Sequence, residues 1–160
     1  SNIRKGYCLI VEENGGIIAG AVMQSLRHTR ITLWDYLRSG AFALWRYAKL
    51  TQCFLPFLDK SSEYAKKQTS ENRWYLESFV VSPAWQGKHI GGKFLDEAVL
   101  PLVAREGGSQ LSLVTNTAMN VFFYQKHGFE QIHQTTIGGV DVWTMLVEVK
   151  SRYKAPDNPD

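Results

Sequence analysis

The stretch Val80-Val81-Ser82-Pro83-Ala84-Trp85-Gln86-Gly87-Lys88-His89-Ile90-Gly91-Gly92 decides how this chain reads. A β-branched strand runs into a proline, a glycine-rich turn follows, and Lys93-Phe94-Leu95-Asp96-Glu97-Ala98-Val99-Leu100 continues as an amphipathic helix. Strand, glycine loop and helix start together make an anion site. The glycines let the backbone come close, and the first helical turn leaves its N–H groups unpaired. Residues 87–93 also satisfy Gly-x-x-x-x-Gly-Lys, so a nucleotide-binding P-loop has to be weighed. A P-loop needs Ser or Thr next, where Phe94 stands, and an Asp ending a neighbouring apolar strand, where residues 111–116 end in Thr-Asn. That reading fails on both counts.

A second motif lies one strand later. Asn120-Val121-Phe122-Phe123-Tyr124-Gln125-Lys126-His127-Gly128-Phe129 follows the apolar run Leu111-Ser112-Leu113-Val114. The two motifs together resemble the GCN5-related N-acetyltransferases (GNAT). That family shows a Gln/Arg-x-x-Gly-x-Gly/Ala loop after one strand, and many members show Asn-x-x-Phe-Tyr-x-Lys-x-Gly-Phe after the next. Gln86, Gly91, Asn120, Phe123, Tyr124, Lys126, Gly128 and Phe129 fall on the pattern, and 74–83 looks like the strand before the loop in one branch of the family. The resemblance is close over 74–130. It implies a mixed α/β fold with a mostly antiparallel central sheet flanked by helices. The sheet would part between the strands at 74–81 and 110–115 to admit acetyl-CoA.

Composition agrees with one ordinary domain. With 160 residues, 44% of them apolar and 21% charged, a single core can form. A formal charge of +3 is too small to argue for nucleic acid. No apolar run approaches the roughly 18 residues needed to span a membrane. Cys8 and Cys53 read as reduced core residues, which suggests a cytoplasmic protein. Histidines 28, 127 and 133 read as scattered surface residues, and no metal is expected.

Along the chain, runs at 7–11 and 17–23 joined through Asn14-Gly15-Gly16 read as a hairpin. By resemblance they are the family's second and third strands. The first strand and following helices have no counterpart, as in a fragment or a trimmed member, and Ser1-Asn2 looks like an expression scar. Trp34, Leu37, Ala41, Leu44, Trp45 and Ala48 recur at helical spacing, and Pro56 suits the start of a second helix. The segment 31–70 is therefore read as a helical insertion in a single domain of 1–150. Its stripe is core-facing, or else part of an apolar acceptor wall or dimer contact. A helix over about 90–106, one over 118–127, a last hairpin across 130–149 and a disordered tail at 151–160 complete the reading.

The candidate site follows. By the same resemblance, Gln86, Gly87, Lys88, His89, Ile90, Gly91 and Gly92 would hold the pyrophosphate of the cofactor, with His89 where the family usually has Gly. The backbone of Phe79, Val80 and Val81 would pair with pantetheine, as the resemblance implies. Asn120 serves the helix end, the pantetheine arm, or both. By resemblance Tyr124 protonates the departing sulfur, since a phenol near 10 lies close to a thiol near 8.5. Phe122 and Phe123 are packing. Glu77, on a strand apolar on both faces, is either a partly buried base for the attacking amine or a structural ion pair with Arg73 or Arg46. The function implied is transfer of acetyl to an amine of a small molecule or peptide in a ternary complex. The alternative is a non-catalytic acyl-CoA sensor. An unpaired first strand would favour a homodimer.

Overall fold

The computed structural model describes residues 6–26, 64 and 72–149. Strand β1 (Gly6–Glu13) and strand β2 (Gly16–Ser25) form the expected hairpin, in which Asn14 and Gly15 both take positive φ. That is what a two-residue turn matched to strand twist requires. Strand β3 (Arg73–Val81) lies antiparallel to β2, and β4 (Gln110–Thr115) parallel to β3. The hairpin β5 (Glu130–Ile137) and β6 (Val140–Glu148) closes a six-stranded sheet of order β1-β2-β3-β4-β6-β5. One parallel pair among antiparallel ones gives the mixed α/β fold.

The parallel crossover from β3 to β4 is a helix with a widened turn in its middle. It runs as α1 (Ile90–Phe94), a π-helical segment (Leu95–Val99) and α2 (Leu100–Arg105). Pro101 explains the widening. Proline offers no N–H and its ring clashes with the carbonyl four residues earlier, so the turn before it opens. Leu95, Val99, Leu100 and Val103 are fully buried on one side of this helix. Each contributes about 1.5–3 kcal/mol of apolar burial. They meet Met23, Trp74, Leu76, Leu111, Leu113 and Met145 from the sheet.

The helix ends in a Schellman turn at Gly107-Gly108. Gly107 takes φ +77, Gly107 N–H donates to Ala104 O (3.0 Å), and Gly108 N–H donates to Val103 O (2.8 Å). Helix α3 (Ala118–Lys126) follows β4, capped by Thr117, whose hydroxyl accepts from Asn120 N–H at 3.3 Å.

Two expectations are corrected here. Cys8 is exposed, because it lies on the face of edge strand β1 that turns away from the core. His127 and His133 are not simple surface residues. His127 is paired with Asp96, and His133 stacks on Tyr64 at 3.9 Å. The calls on the helical segment (Tyr64 apart), on Cys53, His28, Arg46, Ser1-Asn2 and the tail lie outside the described residues.

Gly108 has a steric duty besides its cap. A Cβ there would stand 2.5 Å from both Trp74 Cδ1 and Val103 Cγ1. Gly108→Ala is therefore expected to destabilise the domain by about 1–3 kcal/mol through overpacking, read as a lower urea midpoint with an unchanged m-value.

Candidate active site

Strands β3 and β4 pair only from Arg73–Gln110 to Leu76–Leu113. Beyond that β4 stays with β6 through Thr115, and β3 stays with β2 through Val81. A wedge opens between them. A β-bulge sits where the parting begins. Met23 pairs with Leu76 and Val22 with Ser78, so Glu77 is an extra residue without a cross-strand partner. The bulge changes which side chains face the core, from Trp74 and Leu76 to Phe79 and Val81.

The wedge holds a cavity of about 390 Å³. Its lining unites Phe79, Val81, Gln86, Gly87, His89, Ile90, Gly91, Gly92, Asn120 and Tyr124, and adds Trp85 and Phe123. Among the described residues the lining contains no carboxylate, so an anion meets no like charge from them. Of the other expected residues, Lys88 lies outside the lining with its ammonium 4.6 Å over the Trp85 ring. Val80 is turned away, 61% exposed, and pairs with Gly20 of β2. Its backbone therefore does not face the wedge. Backbone groups alternate along a strand. Because Ser82 N–H donates to Ile18 O (2.8 Å) on the β2 side, those of Val81 and Phe79 point the other way. Trp85 and Phe123 escaped the sequence reading because aromatic residues beside a glycine loop or within a helix look like ordinary packing.

The loop is shaped by local hydrogen bonds. A 3-10 turn (Pro83–Trp85) turns the chain, and Gln86 Nε2 reaches back to donate to Val81 O at 3.0 Å. Gly87 takes φ +74 and His89 φ +61. The helix's own hydrogen bonds start with Lys93 N–H donating to His89 O (3.1 Å), so the N–H groups before it are unpaired within the helix. His89 lines the cavity and makes no side-chain cap. Gly91 forms the floor, where a Cβ would touch Val81, Phe123 and Phe79 at 3.4–3.7 Å.

Helix α3 supplies the opposite wall. Asn120 Nδ2 donates to Thr115 Oγ1 (3.1 Å), tying the helix to the end of β4, while Thr117 does the capping. The end of α3 is a second Schellman turn. Phe129 N–H donates to Tyr124 O (3.1 Å) and Gly128 N–H to Gln125 O (2.9 Å), with Gly128 at φ +80. The apolar contact of that motif is Phe129 on Tyr124, rings 5.3 Å apart. Phe123 and Phe79 pack on the same ring at 5.2 and 6.5 Å. Of the two phenylalanines read as packing, Phe122 is instead 59% exposed, with Lys126 Nζ 4.4 Å above its ring.

The Tyr124 hydroxyl has no hydrogen-bond partner among the described residues, and burial pushes its pKa up to about 12. Tyr75 is also pushed up to about 12, by burial first and by the Glu77 carboxylate second. Glu77 itself is exposed and accepts from Gln24 Nε2. Glu77 is therefore not the partly buried carboxylate expected from the sequence. The expected ion pair with Arg73 is also absent. Arg73 donates through Nε and Nη2 to Gln110 Oε1 (3.1 and 2.7 Å), and Gln110 donates to Glu148.

A phenol whose pKa is raised by folding stabilises the fold while it stays protonated. That contribution is whole below pH 10 and is lost as pH rises towards 12. Tyr124→Phe should thus keep about 2–3 kcal/mol that the native chain loses across that window. Urea melts at pH 9 and pH 11.5 measure it.

A model of the acetyltransferase (GNAT) domain matches residues 58–131. No curated relative matches the sequence. Among solved structures, a protein from Desulfovibrio desulfuricans assigned to the GNAT family aligns with TM-score 0.58 at 18% identity, over 90% of this chain and 69% of its own. The ribosomal-protein-S18-alanine N-acetyltransferase of Escherichia coli aligns with TM-score 0.56 at 16% identity, over 97% and 74%. A GNAT-family acetyltransferase from Elizabethkingia anophelis with acetyl-CoA bound aligns with TM-score 0.51 at 15% identity, over 89% and 76%. At such identities the structural likeness concerns the fold, and the domain match concerns residues 58–131. The parted sheet and the glycine loop agree with that match: residues 58–131 carry the GNAT acetyltransferase domain pattern.

Proposed function

We propose that the protein moves an acetyl group from acetyl-CoA to an amine in a direct ternary complex. One observation carries this: the wedge joins an anion-ready loop at one wall to a buried, protonated tyrosine at the other, whose hydroxyl has no partner among the described residues. The unpaired N–H groups at the start of α1 receive the pyrophosphate, with no metal ligand required. The slot-facing backbone of Phe79 and Val81 receives pantetheine, with Val81 O already taken by Gln86. Asn120, held by Thr115, keeps its amide oxygen for the same arm.

The amine attacks the thioester carbonyl, the C–S bond breaks, and the sulfur leaves towards Tyr124. At about 12 the phenol is some 3.5 units above a free thiol, so complete proton transfer to a solvated thiolate costs about 5 kcal/mol. Tyr124 therefore acts first as a hydrogen-bond donor to the developing charge. A thiolate held in the same apolar slot is also raised by desolvation, which narrows the gap. Glu77, beside the parting of the strands, takes the amine proton directly or through water. Aligning both reactants is worth roughly 7–11 kcal/mol.

Calorimetry should show acetyl-CoA binding that survives EDTA. His89→Gly should leave affinity unchanged or raise it, because the left-handed backbone at position 89 suits glycine. A binding lost on chelation would sink the metal-free reading. In an assay of coenzyme release with a panel of amines, Tyr124→Phe should lower turnover roughly ten- to thousandfold with little change in acetyl-CoA affinity. Glu77→Gln should lose rate near neutral pH and regain part of it at alkaline pH, where the amine deprotonates unaided. Acetyl-CoA binding without release for any amine would favour the sensor.

A further inference from the structure

His127 sits one helical turn after Tyr124, and its N–H donates to Tyr124 O at 3.0 Å. Its ring meets the other wall of the wedge twice. Nδ1 lies 2.8 Å from Asp96 Oδ2, and because an ionised carboxylate only accepts, Nδ1 carries the proton. The ring edge occupies the space of a missing side chain at Gly92, where a Cβ would stand 2.8 Å from Cε1 and 3.0 Å from Nε2. Gly92 and Asp96 are four residues apart, so both contacts fall on one face of the helix that follows the glycine loop. Phe123 closes the ring's flank at 4.8 Å. The ring is largely buried, with 18% of the side chain exposed. Neither Asp96 nor His127 lines the cavity.

We infer that the Asp96–His127 pair, seated on Gly92, is a clamp that fixes helix α3 against the loop helix and so sets the reach of Tyr124 into the slot. Asp96 and His127 are positioning residues for the transfer. This rests on the acetyl-transfer reading of the slot. Two contacts one turn apart on a rigid, planar ring fix rotation as well as distance. A single contact would let α3 roll, and rolling moves Tyr124, whose backbone is tied to His127. The clamp also gives Gly92 a reason separate from anion binding: it yields its Cβ space to the imidazole.

The test has two arms. Without ligand, melting temperatures are compared for the native chain, Gly92→Ala, His127→Ala and the double variant. Gly92→Ala should lower the midpoint by several degrees, and in the His127→Ala background should lower it by less than half as much. Additive losses overturn the clamp. With acetyl-CoA and the amine panel, Asp96→Ala and His127→Ala should keep the acetyl-CoA Kd within about twofold while kcat falls about tenfold or more. Asp96→Asn, which keeps an acceptor oxygen, should retain at least half of kcat. A parallel loss of Kd and kcat, or an unchanged kcat, overturns the positioning role. A native chain that binds acetyl-CoA but acetylates no amine overturns the transfer reading and with it the positioning role, leaving the physical clamp to be decided by the melting arm.

Discussion

Everything at this site depends on where β3 and β4 stop pairing. Four residue pairs hold the two strands together, and after Leu76–Leu113 each strand keeps only its outer neighbour. A sheet that parts leaves backbone N–H and C=O groups unpaired, which is costly in a buried place unless something else satisfies them. Here the gap is lined on the core side by Phe79 and Val81, and its polar edge faces a cavity. The Glu77 bulge makes this possible. By inserting one residue it bends β3 away from β4 and hands the core-facing role to a new set of side chains without breaking the pairing to β2.

The two walls of the gap are then set by helix ends. The loop helix presents its N-terminus to the slot, where N–H groups are unpaired within the helix. Helix α3 ends beside it in a Schellman turn that joins Tyr124 to Phe129 by a hydrogen bond and by ring contact. Glycines serve different ends in this arrangement. Gly128 supplies a left-handed φ, while Gly92 and Gly108 give up Cβ space to His127 and to Trp74 with Val103. The Gly-Phe that closes the second motif is thus the physical lock of a helix end.

The sheet's hairpins and the crossover helix were legible in the sequence, because each has a local cause: alternation with turn residues, and helical spacing after a proline-glycine break. The parting of the strands was implied by the family resemblance alone, and the bulge at Glu77 that opens it left no local sign. The cavity-lining loop was legible as well, since glycine spacing and strand-to-helix order are sequence properties. Other features depend on tertiary partners. The pairing of His127 with Asp96 joins residues thirty-one apart and leaves no periodic trace. Glu77 looked partly buried because Trp74, Tyr75 and Leu76 before it are buried, yet a bulge turns it out to solvent. Arg73 looked like its natural counter-ion, but the parallel register sets Gln110 beside Arg73 instead. Val80 fits the apolar pattern as well as its neighbours do, and only strand parity tells that it faces away from the wedge.

The aromatic lining of the slot then determines what kind of chemistry Tyr124 can offer. Phe79, Phe123 and Phe129 remove water from around the phenol, and that same desolvation raises its pKa to about 12. A phenol so placed does not ionise in any working range, so it always presents an O–H. The cost is a weaker acid, and the gain is a fixed dipole in a medium of low polarity, where a hydrogen bond to developing negative charge is worth more than in water. Its hydroxyl finds no other partner among the described residues, so the donor does not have to break an existing bond before it can serve. What remains to be controlled is position, because a hydrogen bond weakens steeply once donor and acceptor are misaligned. That makes the packing behind Tyr124, more than its acidity, the quantity on which the rate would depend.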